Sequence, residues 1–199
     1  MLVPMQFLID GPENAKRTFL FAHGAGAPMD HPFMNDVARL MAERGIRVVR
    51  FEFPYMAARR TTGKKRAPDR EPVLLETWRE AARELDLRKL AIGGKSMGGR
   101  MATMIADELK VRAVVCFGYP FHPPGQPQKL RTAHLATLHT PTLILQGERD
   151  AFGKPDEVSS YRLSRAIRVE WFAGGDHSLK PKANVERAAA MAAEFVNRT

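Results

Sequence analysis

The stretch Leu90-Ala91-Ile92-Gly93-Gly94-Lys95-Ser96-Met97-Gly98-Gly99-Arg100 decides how the rest of the chain is read. It is a short apolar run that meets a glycine-flanked serine and continues into a segment with helical spacing. Gly94-x-Ser96-x-Gly98 is the nucleophile-elbow pattern, in which a serine stands on a sharp strand-to-helix turn. The backbone there is strained, and side chains two residues before or after the serine would collide, so both places call for glycine. A helix from Met97 to about Leu109 then points its unpaired N–H groups and positive dipole end at the serine, where an oxyanion would form. The same residues do not make a phosphate-binding P-loop, because that motif needs a glycine at position 89, which is Lys89.

Working outward, apolar runs alternate with amphipathic ones. Strands are expected at Met5 to Ile9, Thr18 to Ala22, Ile46 to Phe53, Leu90 to the elbow, Val111 to Phe117, Thr142 to Gln146 and Arg168 to Phe172. Helices are expected from about Asp30 to Arg44, Pro72 to Leu87, Met97 to Leu109, Pro155 to Leu163 and Asn184 to Asn197, with a short helical segment before Thr142. Tyr55 to Pro72 reads as a long polar connection, and its span 59–70 carries six basic residues against one acid. Such alternation predicts an α/β fold: a doubly wound, mainly parallel sheet of about seven strands with helices on both faces and right-handed crossovers. In that architecture sites collect at the carboxyl ends of the strands.

Four residues with chemical potential fall at such ends: His23, Ser96, Asp150 and His177. A serine hydroxyl becomes an effective nucleophile when an imidazole takes its proton, and the imidazole needs a carboxylate to fix its tautomer. The order Ser96, Asp150, His177 fits this requirement. Asp156 and Asp176 stand as alternatives for the orienting acid. His31, His122, His134 and His139 lack a strand end and an elbow partner together, and no His, Glu or Cys spacing suggests a metal. Gly24-Ala25-Gly26 invites a dinucleotide-binding reading, but the third glycine of that fingerprint would fall at Met29.

On His23-Gly24-Ala25-Gly26-Ala27, Gly94-Lys95-Ser96-Met97-Gly98-Gly99 and Gly175-Asp176-His177-Ser178, the chain resembles the α/β-hydrolase superfamily over nearly its whole length. Within it the resemblance is to a branch of small predicted hydrolases near the dienelactone-hydrolase-like proteins, whose relatives include a subunit of the non-specific-lethal chromatin complex. The resemblance implies Ser96 as nucleophile, Asp150 as acid and His177 as base. It implies an oxyanion hole from the backbone N–H of Met97 and of Ala25, with Gly24 a close alternative, and a loop-holding role for His23. Dienelactone hydrolases proper carry cysteine where this chain has Ser96, so lactone opening is not carried over. A non-catalytic interaction module on the same scaffold, an acyltransferase and a peptidase are the competing readings.

Composition sets the remaining bounds. The 199 residues suit one domain, 1–199. Only residues 118–141 separate two predicted strands where larger relatives insert a cap, so no lid is expected, and Met29, Met97, Tyr119 and Phe121 are expected to line a shallow open cleft. A single cysteine, Cys116, excludes an internal disulfide and favours a reduced, cytoplasmic setting. Neither a signal peptide in the opening ten residues nor a span of transmembrane length is expected. The charge of +9 is mostly scattered, which argues against dedicated nucleic-acid or membrane binding. The expected ligand is a small acyl substrate, with no cofactor.

Overall fold

The computed structural model describes residues 5–199, so Met1 to Pro4 of the opening stretch lie outside the described residues. Seven strands form one sheet in the order β1-β3-β2-β4-β5-β6-β7. They are β1 (Leu8–Asp10), β2 (Thr18–Ala22), β3 (Arg47–Phe51), β4 (Leu90–Lys95), β5 (Ala113–Phe117), β6 (Thr142–Gly147) and β7 (Ile167–Phe172). β1 runs antiparallel to β3, and all other pairs are parallel. The helices are α1 (Pro32–Ala42), α2 (Pro54–Thr62), α3 (Glu71–Arg83), α4 (Met97–Leu109), α5 (Pro155–Val158) and α6 (Lys182–Arg198).

The continuous apolar runs are what a sheet covered on both faces requires. Successive side chains of a strand point to opposite faces, and the core divides accordingly. Phe19 and Phe21 of β2, Ala91 of β4, Val115 and Phe117 of β5 and Leu143 and Leu145 of β6 pack under α1 and α6. Leu20, Ile92, Val114, Cys116 and Ile144 face the other way, under α3 and α4. Each large side chain so buried contributes about 1.5–3 kcal/mol relative to exposure, and the pattern leaves β4 and β5 central on both sides.

Register brings the strand ends level. Ala22 pairs with Gly94, Gly94 with Cys116, Cys116 with Ile144 and Gly147 with Phe172. The residues that follow β2, β4, β6 and β7 therefore emerge along one edge.

Three expectations are corrected. The connection after β3 is not a loop throughout: Pro54 starts α2, Tyr55 and Met56 are buried, and Gly63 closes the helix at φ +66. The polar composition of that span concealed a helix with two buried apolar side chains and a proline at its first position. α5 stops at Val158 rather than Leu163, because the Ser159 and Ser160 hydroxyls donate to the carbonyls of Asp156 and Glu157, the local competition that serine offers a helix. The strand read as Ile46 to Phe53 narrows to Arg47–Phe51, since the Phe53 N–H donates to the His23 ring instead of a neighbouring strand.

Candidate active site

Ser96 follows the last residue of β4 and caps α4 with φ 51 and ψ −114. That backbone is costly for a residue with a side chain, and the flanking glycines make room for it. A Cβ on Gly94 would lie 2.5 Å from the backbone of Gly98 and Gly99, and one on Gly98 would lie 2.6 Å from the carbonyls of Ala22 and His23. The elbow is thereby pressed directly against the end of β2.

The Ser96 Oγ is 2.9 Å from Nε2 of His177, and Nδ1 of His177 is 2.7 Å from Oδ2 of Asp150. With Nδ1 donating to the carboxylate, Nε2 presents its lone pair to the serine hydroxyl. The structure thus brings together the three residues that spacing and resemblance had paired, from segments 81 and 27 residues apart.

Asp150 is fully buried. Its Oδ2 also accepts from Gln146 Nε2 at 2.8 Å, and its Oδ1 from the Phe152 N–H at 2.9 Å, so its negative charge has three donors fixing it. The alternatives are placed elsewhere: Asp156 is exposed on α5, and Asp176 accepts from the amides of Ser178 and Lys180, shaping the loop that carries His177. Burial pushes the His177 imidazole below the ordinary histidine range, the Asp150 hydrogen bond pulls it back up, and the Lys95 charge lowers it again.

His23 does not join this line. Its Nδ1 donates to the Gly24 carbonyl at 2.7 Å and its Nε2 accepts from the Phe53 N–H at 3.1 Å. Both nitrogens are spent, and burial favours the neutral ring. Tyr55 adds a hydroxyl bond to the Ala25 carbonyl at 3.0 Å. The loop after β2 is therefore tied down from two sides, with Ala25 at the cavity wall beside Ser96. Met97 is the first residue of α4, so its N–H has no acceptor within the helix.

Two cavities meet at Ser96, of about 380 Å³ and 360 Å³. Ala25, Ser96 and Phe152 line both. Met97 lines the larger, but Met29, Tyr119 and Phe121 line neither, which corrects their expected place in the cleft. All three are buried. Met29 is held by its backbone, N–H to Glu52 and C=O from Arg50. The Tyr119 hydroxyl donates to the Arg131 carbonyl, and Phe121 packs at a tilt against Tyr119 and Tyr161. Apolar residues in a loop bounded by strands are drawn to the core, and a flat sequence reading does not distinguish that from a cavity wall.

Two contributors were missed. Phe152 packs its ring 4.2 Å from that of His177, shielding one face of the imidazole; nothing in its spacing marked it. Gln146 was legible in principle, as the one amide inside the apolar run of β6. Fully buried, it spends its side chain on Tyr119, Asp150 and Gly153.

Among the described residues no cluster of three or more His, Cys, Asp or Glu side chains is placed to hold a metal, and no helix is long and apolar enough to cross a membrane.

Comparison with known proteins bears on the fold that carries these residues. A family model for the alpha/beta hydrolase domain matches residues 15–198. A dienelactone hydrolase from Anabaena variabilis superimposes with a TM-score of 0.78 at 21% identity, covering 99% of this chain and 93% of that one. An α/β serine hydrolase without a lid from Xanthomonas campestris gives 0.69 at 20% identity, covering 98% and 89%. The esterase domain of a Rhodothermus marinus protein gives 0.71 at 16% identity, covering 98% and 99%. With the family model spanning nearly all of the sheet and helices, the chain belongs to the α/β-hydrolase domain family.

Proposed function

We propose that the protein is a serine hydrolase that cleaves small carboxylic esters through an acyl-enzyme. The observation that carries this reading is the unbroken hydrogen-bonded line from Ser96 through His177 to the buried Asp150. Ser96 Oγ attacks the ester carbonyl while its proton passes to His177 Nε2. The carbonyl oxygen becomes an oxyanion facing the amides of Ala25 and Met97. Each such donor, where one has been removed from a serine hydrolase, is worth a factor on the order of 10²–10³ in turnover. His177 then gives its proton to the departing alkoxide, and a water activated by the same imidazole hydrolyses the acyl-enzyme. Water is the sole co-reactant. The partner is a small acyl substrate rather than a nucleic acid or membrane, in the cytoplasm, where the buried free thiol of Cys116 would stay reduced.

The test is Ser96→Ala. Turnover of short p-nitrophenyl esters is expected to fall on the order of 10⁶-fold, as when the nucleophile of a comparable triad is removed, with loss of labelling by a fluorophosphonate probe. A variant that folds and still turns over or labels would exclude Ser96 as the nucleophile.

A further inference from the structure

The two cavities at Ser96 differ in charge. The larger has Arg100 and Arg131 in its wall together with Asp69 and Glu71. In the wall of the smaller stand Lys95 and no carboxylate, and His177 belongs to this wall alone. The leaving oxygen of an ester must receive its proton from His177 Nε2. It therefore lies within reach of the imidazole, on the side of Ser96 where the smaller cavity opens.

Lys95 is recessed at the end of β4, next to the nucleophile. Its Nζ donates to the His177 carbonyl at 2.5 Å and lies 5.8 Å from the centre of the Phe33 ring. The other two N–H bonds have no acceptor among the described residues. The negative groups that face it are already engaged: Asp150 with His177, Gln146 and Phe152, and Asp176 with the amides of Ser178 and Lys180. The neighbouring imidazole of His177 is held neutral by burial. Burial lowers the ammonium itself to about 8. α1 begins in the same wall, at His31, Phe33 and Met34, with no acid in its first turn, and so adds the positive end of its dipole.

We propose that the alcohol half of the ester carries an anionic oxyacid group, a carboxylate or a phosphate, which the Lys95 ammonium binds in the cavity beside His177. The inference rests on the serine-hydrolase reading. In the acylation step the acyl C–O bond breaks as the Ser96 Oγ–C bond forms. The proton taken from Ser96 goes to the leaving oxygen, and the alcohol departs with its anionic group unchanged.

The experiment compares 4-acetoxybenzoate with its uncharged methyl ester, each rate divided by that of the same ester in hydroxide. At pH 7 the anionic ester is expected to be favoured in kcat/KM on the order of tenfold, the scale of one charge-assisted hydrogen bond. The preference should decline above about pH 8, as Lys95 loses its proton, and vanish in Lys95→Met. Because Lys95 also supports the His177 loop, the readout is the ratio of the two esters within each protein, and the wild-type ratio and its pH dependence decide even if that variant does not fold. Adding 4-acetoxyphenyl phosphate identifies which oxyacid is preferred. A wild-type ratio near one overturns the proposal. So does an anion preference that appears only when the charge is on the acyl side, as in mono-p-nitrophenyl succinate against p-nitrophenyl butyrate. Failure of the underlying reading looks different: neither ester is turned over and no fluorophosphonate label appears. Calorimetric binding of 4-hydroxybenzoate against its methyl ester then decides the anion site, equal affinities overturning it.

Discussion

Ser96 holds a backbone conformation that β- and α-structure both exclude, with its hydroxyl hydrogen-bonded to an imidazole. The orienting carboxylate fixes that imidazole and also sets its pH range. Burial is the largest influence on His177 and lowers it, so the acid limb of kcat/KM is expected below the ordinary histidine value of 6.5. The sign follows from the role: the base must be neutral, and activity disappears as pH falls through its depressed pKa. Asp150 is the main group pulling His177 back up. Asp150→Asn removes that pull, so the limb should move to still lower pH while kcat drops on the order of 10⁴-fold through loss of the correct tautomer. A pH–rate profile on a neutral ester measures both. An acid limb that moves up would mean that Asp150 does not govern His177.

The elbow works as an element because its glycines let α4 and β2 close on each other. Gly98→Ala places a methyl group 2.6 Å from two rigid carbonyls, and overpacking of this kind costs about 1–3 kcal/mol or more. A fall in Tm with loss of the proposed esterase activity is expected. Gly26→Ala, in the same neighbourhood of the loop after β2, meets nothing within 4 Å and should stay within about 0.5 kcal/mol of wild type. Equal stabilities for the two variants would count against the close approach. α2 is positioned differently, by charge. The Arg60 guanidinium grips the buried Glu52 through two bonds of 2.7 Å and reaches Asp30, and its own pKa is raised in consequence. Glu52 in turn accepts the Met29 amide, so the helix and the loop after β2 share one carboxylate. Arg60→Ala strands that carboxylate and is expected to cost about 1–3 kcal/mol in urea unfolding. Asp30→Ala touches only the exposed half of the network and should cost under about 1 kcal/mol. The basic residues of 59–70 were visible in the sequence. That Arg60 among them was committed to a buried acid 8 residues earlier was not.

At the scale of the whole molecule, histidines kept neutral by the fold set its acid sensitivity. Burial lowers His134 to about 4 and also depresses His23. Between about pH 6.5 and 4 the unfolded chain takes up protons at these positions and the folded one does not, so stability falls as pH falls through that window. His134→Gln should flatten the decline by about 1–2 kcal/mol, allowing for the ring's partial exposure. Urea midpoints at pH 7 and pH 4.5 give the comparison, and an unchanged slope would clear His134 of the role. The sheet as a whole was legible because alternating apolar runs of strand length admit few arrangements once crossovers are right-handed. The elbow was legible because its constraint is local: a strained turn needs glycine within two residues of Ser96, whatever the rest does. By itself, then, the sequence determined the fold class, the strained serine and the set of acids and imidazoles from which a partner line had to come. Only the tertiary structure decided between Asp150 and its rivals, seated Tyr119 and Phe121 in the core, packed Phe152 on His177 and turned the Lys95 ammonium to the His177 carbonyl. Those outcomes depend on register and on which way a loop side chain turns, and both are set by contacts between segments far apart in the chain.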